Sequence, residues 1–510
     1  MILLTSLALG ILILCFHTLT ASHEPNEPPL IRPGIPIVGH LIGMIRHGSG
    51  YYSKINKKYN LPIYTLPMPR GKVYIVNSPR LIAAIDRRAK TISFAPYVVQ
   101  FAKRILAPSQ QAISALEEDL LEKQGPVGLR PETLKVMHDS LAPGGPLEDT
   151  TQVMLEGVMG VLNSMRSSGK CGEIELFDWT RRLVTKASTD AIYGAKFNPF
   201  KDEGVYNGLW TIDKDFVLLG LNVLSNFMTP RGSQARTSFF NAMRAYYDKG
   251  GHEYGSRLVR DRYEVSLKHR LSRTDIEHFN LSVSYGLLVN TVPATAWTLF
   301  HVYSNPLLLR EIRHDIESRL GRLRTHAIEV NIPTLIEDCP LLMSLVQEVL
   351  RIHSTNASGR VVLDDTLIDD EYLLKKDAIL LIPSADLHSN QSIWGSNATA
   401  LDPRRFMNQR EPTGKQKVPA CAYRAFGSGA SVCPGRHFAM NEILSILVVM
   451  VLKYDMSPVQ GEWTMPKTKS HITTSILTPA EDLKVEMRER ECMKDLELKL
   501  VWRAEKSSRR

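Results

Sequence analysis

The feature that most constrains the fold is a glycine-rich loop, residues 425–435, which holds Cys433 directly before an apolar helical pattern. The loop reads Ala-Phe-Gly-Ser-Gly-Ala-Ser-Val-Cys-Pro-Gly. Glycine has no Cβ, so it lets backbone approach a flat ligand and allows turns that point N–H groups at the sulfur. The helix predicted from about Arg436 to Leu452 has a dipole that favours a thiolate. Local chemistry therefore allows either an anionic sulfur ligand or a buried structural cysteine.

The same residues resemble the haem-binding motif of the cytochrome P450 family, F-x-x-G-x-x-x-C-x-G. Phe426, Gly429, Cys433 and Gly435 match the defining positions of that motif. The resemblance implies that the cofactor is haem b and that Cys433 is the axial ligand of its iron. It also implies that Phe426, Gly427, Gly429 and Gly435 surround the cofactor, where hydrogen bonds to the sulfur tune the iron–thiolate bond.

Two shorter motifs precede the loop in the family's order. The stretch from Glu348 to Arg351 reads E-V-L-R and resembles the E-x-x-R of the family's K helix; residues three apart share one helix face. Residues 403–406 read P-R-R-F and resemble the family's P-E-R-F, which supplies Arg405 as the further partner that a buried ion pair needs. The resemblance implies a structural triad of Glu348, Arg351 and Arg405. Arg360 lies where many members bind a haem propionate, and a surface arginine is the alternative.

The resemblance covers nearly the whole chain and implies the cytochrome P450 fold, a single large domain with a buried haem. Hydrophobic periodicity agrees, because long helical patterns dominate residues 80–355 and strand-like pieces are short. The examples are helical patterns at Leu281–Leu309, interrupted by Pro293, and Ile332–Ile352, and strands at Lys72–Val76, Val361–Leu363 and Ala378–Pro383. We therefore expect a mainly α protein with small β-sheets (α+β), whose haem-thiolate catalytic domain spans residues 51–510.

Charge and cysteine content exclude several other classes of protein. The net charge is +9 over 510 residues, without five consecutive Lys or Arg, so a dedicated nucleic-acid surface is not expected. A basic face for an anionic membrane or an acidic redox partner fits better, and an ordinary solvated surface fits equally well. The six cysteines form no C-x-x-C pair, so neither a zinc site nor a small disulfide scaffold is indicated.

Residues 1–21 form an apolar segment without Lys, Arg, Asp or Glu and are predicted to be a transmembrane anchor. About twenty helical residues match the thickness of a bilayer core. A cleaved signal peptide is the alternative, but it usually begins with a positive side chain. The first basic residue here is Arg32, which follows the apolar segment and favours a cytosolic catalytic domain. Prolines in residues 22–50 predict a stiff linker. We expect a single-pass protein of the endoplasmic reticulum membrane.

The sequence departs from the family in the oxygen-binding segment of its long I helix. The common motif there is A/G-G-x-D/E-T-T, whose acid and threonine support proton delivery to oxygen. Counting back from Asn305-Pro306, the usual end of this helix, places Asn290 at the threonine position and Val289 at the acid position. Asn290 and Thr291 are the predicted catalytic residues, since an amide both donates and accepts hydrogen bonds. The alternative role for Asn290 is a polar residue that bends the helix at Pro293.

The pattern Asn-Thr-x-Pro-Ala and the Cys-Pro-Gly-Arg of the haem loop resemble the branch that includes sterol 7α-hydroxylases and prostacyclin synthase. Ser431 stands where most members have a propionate-binding arginine. That branch contains monooxygenases and an isomerase that needs no electrons. Three functions stay open: a monooxygenase that uses NADPH-cytochrome P450 reductase, with cytochrome b5 as a further candidate partner; a haem-thiolate isomerase, dehydratase or cyclase; and a non-enzymatic membrane protein. The basic surface favours the first.

Family position also indicates which residues meet the substrate. They are Asn290, residues 356–360, residues 471–476 and part of residues 95–125. Apolar and small polar side chains mix in these segments, which predicts a lipophilic substrate with a few oxygens, such as a sterol, terpenoid or polyketide. A role in secondary metabolite biosynthesis follows as an expectation.

Overall fold

Helices make up most of the described chain because apolar side chains recur at helical spacing along it. The structure, a computed structural model, describes residues 10, 23–35, 38–68, 71–118, 120, 127–167, 172–221, 229–320, 327–407, 418–469, 474–494 and 496–503. The α-helices in these ranges are α1 Gly39–His47, α2 Gly50–Tyr59, α3 Pro79–Asp86, α4 Ala95–Phe101, α5 Gln110–Glu117, α6 Leu129–Leu141, α7 Gly145–Ser167, α8 Leu176–Tyr193, α9 Glu203–Leu221, α10 Pro230–Asp248, α11 Arg257–Lys268, α12 Arg273–Leu288, α13 Thr291–Tyr303, α14 Pro306–Leu320, α15 Ile332–Asp338, α16 Pro340–His353, α17 Ser384–His388, α18 Gln391–Trp394 and α19 Arg436–Lys453.

The strands are short and form several small sheets. They are β1 Ile63–Met68, β2 Gly71–Val76, β3 Ile92–Ser93, β4 Glu173–Glu175, β5 Ala327–Asn331, β6 Ala357–Val362, β7 Thr366–Ile368, β8 Tyr372–Leu374, β9 Ile379–Pro383, β10 Tyr454–Pro458, β11 Thr468–Lys469, β12 Thr478–Pro479, β13 Lys484–Glu489 and β14 Glu497–Val501. The largest sheet has the order β1-β2-β9-β6-β3, in which only β2 and β9 run parallel. A second sheet has the order β10-β13-β4, and three further pairs are β11 with β12, β5 with β14, and β7 with β8. The predicted mainly α fold with small sheets is confirmed.

Helix α19 lies in the centre of the main core. The largest cluster of buried apolar side chains includes members from α7, α8, α12, α13, α16 and α19. Every residue of α19 from Glu442 to Lys453 is buried, as expected for a helix that has apolar side chains on all faces. Because α19 begins at Arg436, three residues after Cys433, the cysteine loop is held at the edge of this core.

The helical pattern predicted over Leu281–Leu309 is divided among three helices, α12, α13 and α14. The first break falls at Val289 and Asn290. Its physical cause is Pro293, which has no N–H to donate to the carbonyl of Val289 four residues earlier. The second break is typical of proline at the first position of a helix, since α14 begins at Pro306.

Only part of the amino-terminal predictions can be compared with the described residues. The predicted anchor, residues 1–21, lies outside the described residues apart from Gly10. Within the described ranges, none of the helices combines the length and apolarity needed to cross a membrane. The catalytic domain boundaries stay a prediction.

The predicted linker at residues 22–50 is only partly extended and does not stand away from the domain. The N–H of Ile31 donates to the carbonyl of Thr65 at 2.9 Å, and the N–H of Thr65 donates to the carbonyl of Pro29 at 2.8 Å. These bonds dock the segment on β1, and α1 follows within the same range. The proline-rich segment therefore packs as part of the domain, because its carbonyls satisfy strand donors.

His301, His353 and His388 are buried, and burial lowers the pKa of each ring. His301 and His353 approach through their Nε2 atoms at 2.8 Å, and the ring of Trp297 stacks on His353 with 4.2 Å between centroids. Burial lowers the pKa of His301 to about 4 and that of His388 to about 3, and it holds the pKa of His353 well below its usual range. Protonation of any of these rings would place an uncompensated charge in the interior.

We expect the free energy of unfolding to fall as the pH is lowered from 6.5 towards 4. The unfolded chain binds protons at these histidines near pH 6.5, whereas folded His301 binds one only near pH 4. Once the unfolded ring is protonated, each such histidine lowers stability by about 1.4 kcal/mol for each pH unit. Urea unfolding of the holoprotein at several pH values measures this slope.

The matched comparison is His301→Gln against His314→Gln. The first variant should show a shallower loss of stability between pH 6.5 and 5, since one buried titrating group is gone. His314 is exposed, so its replacement should leave the slope as in the parent protein. Equal slopes in all three proteins would contradict the assignment.

Candidate active site

The loop before α19 is closed by backbone contacts. The N–H of Cys433 donates to the carbonyl of Phe426 at 2.8 Å. Gly427 has a φ of 76°, and a Cβ at that position would lie 2.8 Å from the carbonyl oxygen of Ser431. Only glycine fits such a position without strain. Gly427 is predicted to contact the cofactor, but the turn of the loop already requires a glycine at this position.

The sulfur of Cys433 receives two backbone donors. Burial raises the pKa of the Cys433 thiol above its usual value, although the N–H of Gly435 and the charge and N–H of Arg436 all lower it. A bound cation would reverse this balance, because metal coordination deprotonates a thiol outright. Cys421, the other cysteine near this loop, donates instead to the carbonyl of Pro79 at 3.4 Å and does not line the cavity described next.

A cavity of about 890 Å³ lies over Cys433. This volume includes the space over the cysteine loop, where a cofactor would lie, as well as the space between the surrounding helices. Its walls come from α4, α6, α9, α12, α13, β6, β9 and the cysteine loop. Predicted site residues that line it are Asn290, Thr291, Phe426, Gly427, Cys433 and Gly435. Gly429 does not line it; this glycine is exposed and packs beside Asp86.

Asn290 and Thr291 lie where the long helical segment is interrupted. Asn290 precedes the first residue of α13 and has φ −100° and ψ −36°. Its carbonyl accepts from the N–H of Ala294 at 3.2 Å, while within the described chain its side-chain amide has no hydrogen-bond partner. Thr291 is 5% exposed and its carbonyl accepts from the hydroxyl of Thr295. The break therefore leaves Asn290, whose amide is uncommitted within the described chain, among the residues that line the same cavity as Cys433.

Glu348, Arg351 and Arg405 meet behind the loop. Arg351 donates from Nε to one carboxylate oxygen of Glu348 at 2.7 Å and from Nη2 to the other at 2.8 Å. Arg405 donates from Nε to the same two oxygens at 3.0 and 3.1 Å. The Glu348 and Arg351 side chains are 0% and 1% exposed. Arg351 also donates to the carbonyls of His388 and Ala398, which ties α16 to the segment that leads into the loop.

A second charged cluster lies beside the loop, and sequence reasoning missed most of it. Arg360 does not line the cavity; its Nη2 lies 2.9 Å from Oδ1 of Asp86. Arg424 is fully buried, donates to the hydroxyl of Ser428 at 2.6 Å and lies 3.7 Å from Asp86. One carboxylate thus faces two guanidinium groups. No local pattern marks Asp86, because it lies 274 residues from Arg360 along the chain.

These features fit a haem. The sulfur with two N–H donors and an apolar cavity suits an iron–thiolate bond to a flat macrocycle. Two arginines sharing one carboxylate leave a net positive charge beside the loop, and Nε and Nη2 of Arg424 are buried without a partner among the described residues. Anionic propionates would neutralise such a charge. The residues that would hold the group are Cys433, Phe426, Gly427 and Gly435, with Arg360 and Arg424 supplying positive charge.

Comparison with known proteins identifies the family. The family model described as Cytochrome P450 matches residues 28–487. Cytochrome P450 monooxygenase nodJ of Hypoxylon pulicicidum is 34% identical over 490 residues, which cover 93% of this chain and 92% of that protein. A cytochrome P450 monooxygenase of Gibberella zeae is 26% identical over 94% of this chain and 91% of its own length. The chain belongs to the cytochrome P450 family; it is an oxidoreductase whose cofactor is haem b.

More distant similarities agree with the predicted branch and fold. Cytochrome P450 7A1 of Rattus norvegicus is 27% identical over 223 residues, covering 40% of this chain and 43% of that protein. The porcine 5-beta-cholestane-3-alpha,7-alpha-diol 12-alpha-hydroxylase is 23% identical over 89% of this chain and 91% of that protein. Retinoic acid bound cyanobacterial CYP120A1 superposes with a TM-score of 0.69 at 15% identity, over 91% of this chain and 99% of that one. The resemblance to sterol hydroxylases is confirmed, and the structural match shows the shared fold.

Replacement of Glu348 by Gln should destabilise the protein by on the order of 3–5 kcal/mol, because it leaves Arg351 and Arg405 buried without a counter-charge. Urea unfolding and the haem-to-protein ratio after purification measure the loss. Glu311→Gln is the matched control, since its pair with Arg404 is roughly half exposed (44% and 54%) and should be worth at most about 1 kcal/mol. A Glu348→Gln protein with full haem content and unchanged stability would contradict this prediction.

A Cys433→Ala variant should lose the red-shifted Soret band that the reduced carbon monoxide complex of a thiolate-bound haem shows. Removing the sulfur removes the electron donation that causes the shift. Cys421→Ala should keep the band, because that thiol lies outside the cavity. If the band survives in Cys433→Ala and is lost in Cys421→Ala, the ligand assignment is wrong.

Proposed function

We propose that the protein is a membrane-anchored monooxygenase that inserts one oxygen atom from O2 into a lipophilic substrate with electrons from a flavin reductase. The observation that carries the proposal is a large cavity lined by both Cys433 and Asn290, whose side-chain amide has no hydrogen-bond partner within the described chain. When bound, haem supplies the oxygen activation. Everything else that the reaction needs must come from the chain: a site for the substrate, a proton path, and access for electrons.

The cavity lining supports a lipophilic substrate. Aromatic and aliphatic side chains form most of its wall, including Phe101, Phe216 and Leu287, with scattered hydroxyl and amide groups such as Ser358 and Asn356. Apolar walls with a few polar groups are usual where a ligand is held by burial and oriented by hydrogen bonds. A sterol, terpenoid or polyketide fits this chemistry, and a role in secondary metabolite biosynthesis is part of the same proposal.

The amide of Asn290 is the candidate proton-handling group. The family's usual acid is replaced by Val289, so no carboxylate stands at this position, directly after α12. Asn290 can accept from a water molecule and donate towards oxygen at once. The hydroxyl of neighbouring Thr291 lies in the same wall of the cavity. Together they would orient water for proton delivery without themselves titrating.

The exposed part of the cysteine loop supports access for electrons. Gly429 and Ala430 are exposed, and Ala430 is three residues from Cys433. The overall charge of +9 favours encounter with an acidic flavin protein, because complementary charge speeds association. NADPH-cytochrome P450 reductase is the expected donor, and cytochrome b5 is a further candidate.

The apolar side of α1 supports a position on the membrane surface. Ile45 is 68% exposed, Ile42 47% and Leu41 38%, and the basic residues Arg46 and His47 end this helix. Exposed apolar side chains beside positive charge are typical of helices that lie in a lipid interface. With the apolar segment at residues 1–21, this favours a single-pass protein of the endoplasmic reticulum whose catalytic domain faces the cytosol.

The competing function is a haem-thiolate isomerase, dehydratase or cyclase, which the missing acid at position 289 favours. Cells that express the chain with or without a reductase separate the two. A product that contains oxygen from labelled O2 and requires both the reductase and NADPH supports the monooxygenase. Conversion of the substrate without either one would refute it.

Asn290→Ala should uncouple oxygen use from product formation, because the cavity then loses its unpartnered amide. We expect product per NADPH to fall by about tenfold while hydrogen peroxide release rises. This is less than the roughly 10²–10⁴-fold effect of a positioned proton-transfer group, because Thr291 remains to orient water. Ser282→Ala is the control, since that hydroxyl lines the cavity but donates to the carbonyl of Phe279. Unchanged coupling in Asn290→Ala would remove Asn290 from the mechanism.

A further inference from the structure

The charge inside the cavity is unevenly distributed. Among the described residues that line it, Arg104 is the only one with a charged side chain. It belongs to a π-helical turn, Ala102–Leu106, that directly continues α4. π-helical turns are rare and occur often at functional sites. The turn therefore places a single guanidinium group at a wall that is otherwise apolar or neutral.

Arg104 has no acidic partner within the described part of the chain. Its neighbour Lys103 does, because the Lys103 ammonium pairs with Glu117 and does not line the cavity. The Arg104 side chain is exposed, whereas Ile105 and Leu106 are 2% and 4% exposed. Buried neighbours hold the turn in place while the guanidinium stays at the rim of the cavity with its donors uncommitted.

Other polar side chains of the same face would complete an anion site. Tyr97, Gln100 and Arg104 all line the cavity at spacings of three and four residues, which places them on one side of a helix. Arg104 lowers the pKa of the Tyr97 hydroxyl, although burial raises it more, so the two groups lie within electrostatic reach. The Tyr285 hydroxyl, by contrast, already donates to Asp213 at 2.7 Å.

The position of the turn argues for a substrate group over a haem propionate. The turn packs against α9 and α12, and a Cβ on Gly220 of α9 would lie 3.8 Å from Ile105. The cluster that suits the propionates, Arg360 and Arg424 around Asp86, lies instead beside the cysteine loop. The two positive regions are built from different elements of the fold.

We propose that Arg104 binds a carboxylate of the substrate, so that the protein acts on a lipophilic carboxylic acid. This inference rests on the proposed monooxygenase function and narrows its substrate class. The guanidinium fork matches a carboxylate in two hydrogen bonds. Binding at the rim orients the apolar body of the acid into the cavity and so selects which carbon reaches the site over Cys433.

The test is a binding titration of the purified holoprotein, followed by the change in the haem spectrum. The probes are three acids of different shape, abietic, lithocholic and palmitic acid, each with its own methyl ester, at pH 7.5. At least one acid should bind about tenfold more tightly than its ester, and added salt should reduce that preference because the site is at the rim.

Variants assign the preference to one side chain. Arg104→Gln should weaken binding of the acid about tenfold and leave binding of the ester unchanged, and Arg104→Lys should restore part of the preference. Lys103→Gln is the matched control, since it removes a neighbouring charge that does not line the cavity, and it should behave as the parent protein.

Three results would overturn the proposal. They are acids that bind no better than their esters, or do not bind at all; a preference that survives in Arg104→Gln; and an Arg104→Gln protein that loses haem, which would make Arg104 a propionate ligand. A parent protein with the red-shifted carbon monoxide band and NADPH-dependent oxygen use, but no preference for acids, would reject only this inference. Absence of those two properties would reject the proposed function itself.

Discussion

The arrangement of the site depends on the carboxylate of Glu348, which accepts hydrogen bonds from Arg351 and Arg405 in the interior. Burying any one of these charges alone would cost several kcal/mol. The ion pairs among the three side chains, together with hydrogen bonds to backbone carbonyls, offset that cost. Arg351 reaches the carbonyls of His388 and Ala398, and Arg405 reaches that of Trp394. Helix α16 is thereby joined to the segment that precedes the cysteine loop. These ion pairs and hydrogen bonds therefore help to fix the position of the loop that holds the Cys433 sulfur.

A backbone interruption supplies the other half of the site. α13 is buried along its whole length, so the helix cannot bend by exposing carbonyls to water. Pro293 removes one helical hydrogen bond and the break falls at Asn290, a residue that lines the cavity and whose amide has no partner within the described chain. The bending role and the chemical role proposed for Asn290 are therefore compatible: the break is what frees the side chain.

Much of the fold and part of the site could be predicted because the signals are local. Helical periodicity marked α19 and also the Ile332–Ile352 pattern, which the structure divides into α15 and α16 at Cys339. Spacing within a few residues marked the Cys433 loop and the Glu348–Arg351 pair. The division of the Leu281–Leu309 pattern into three helices was only partly anticipated, since periodicity alone does not locate a break. The pairing of Asp86 with Arg360 and Arg424 was missed, because these residues of α3, β6 and the segment before the cysteine loop are far apart in sequence and meet only in the folded chain. Arg104 was also missed. It stands out only because the other described residues that line the cavity carry no charged side chain, and the sequence does not show which residues line it.

The sequence by itself determined the family and its haem cofactor and predicted Cys433 as the thiolate ligand, since each follows from residue types at short, fixed separations along one segment. The tertiary structure decided which of the chain's many charges are left without partners, and where. Arg104 and Lys103 are adjacent in sequence and equal in charge, yet one pairs with Glu117 and the other faces the cavity. That difference follows from the direction of two side chains on a π-helical turn packed against α9 and α12, and only the packed fold sets that direction. The Cys433 loop thus identifies the chemistry, and the surrounding helices determine what reaches it.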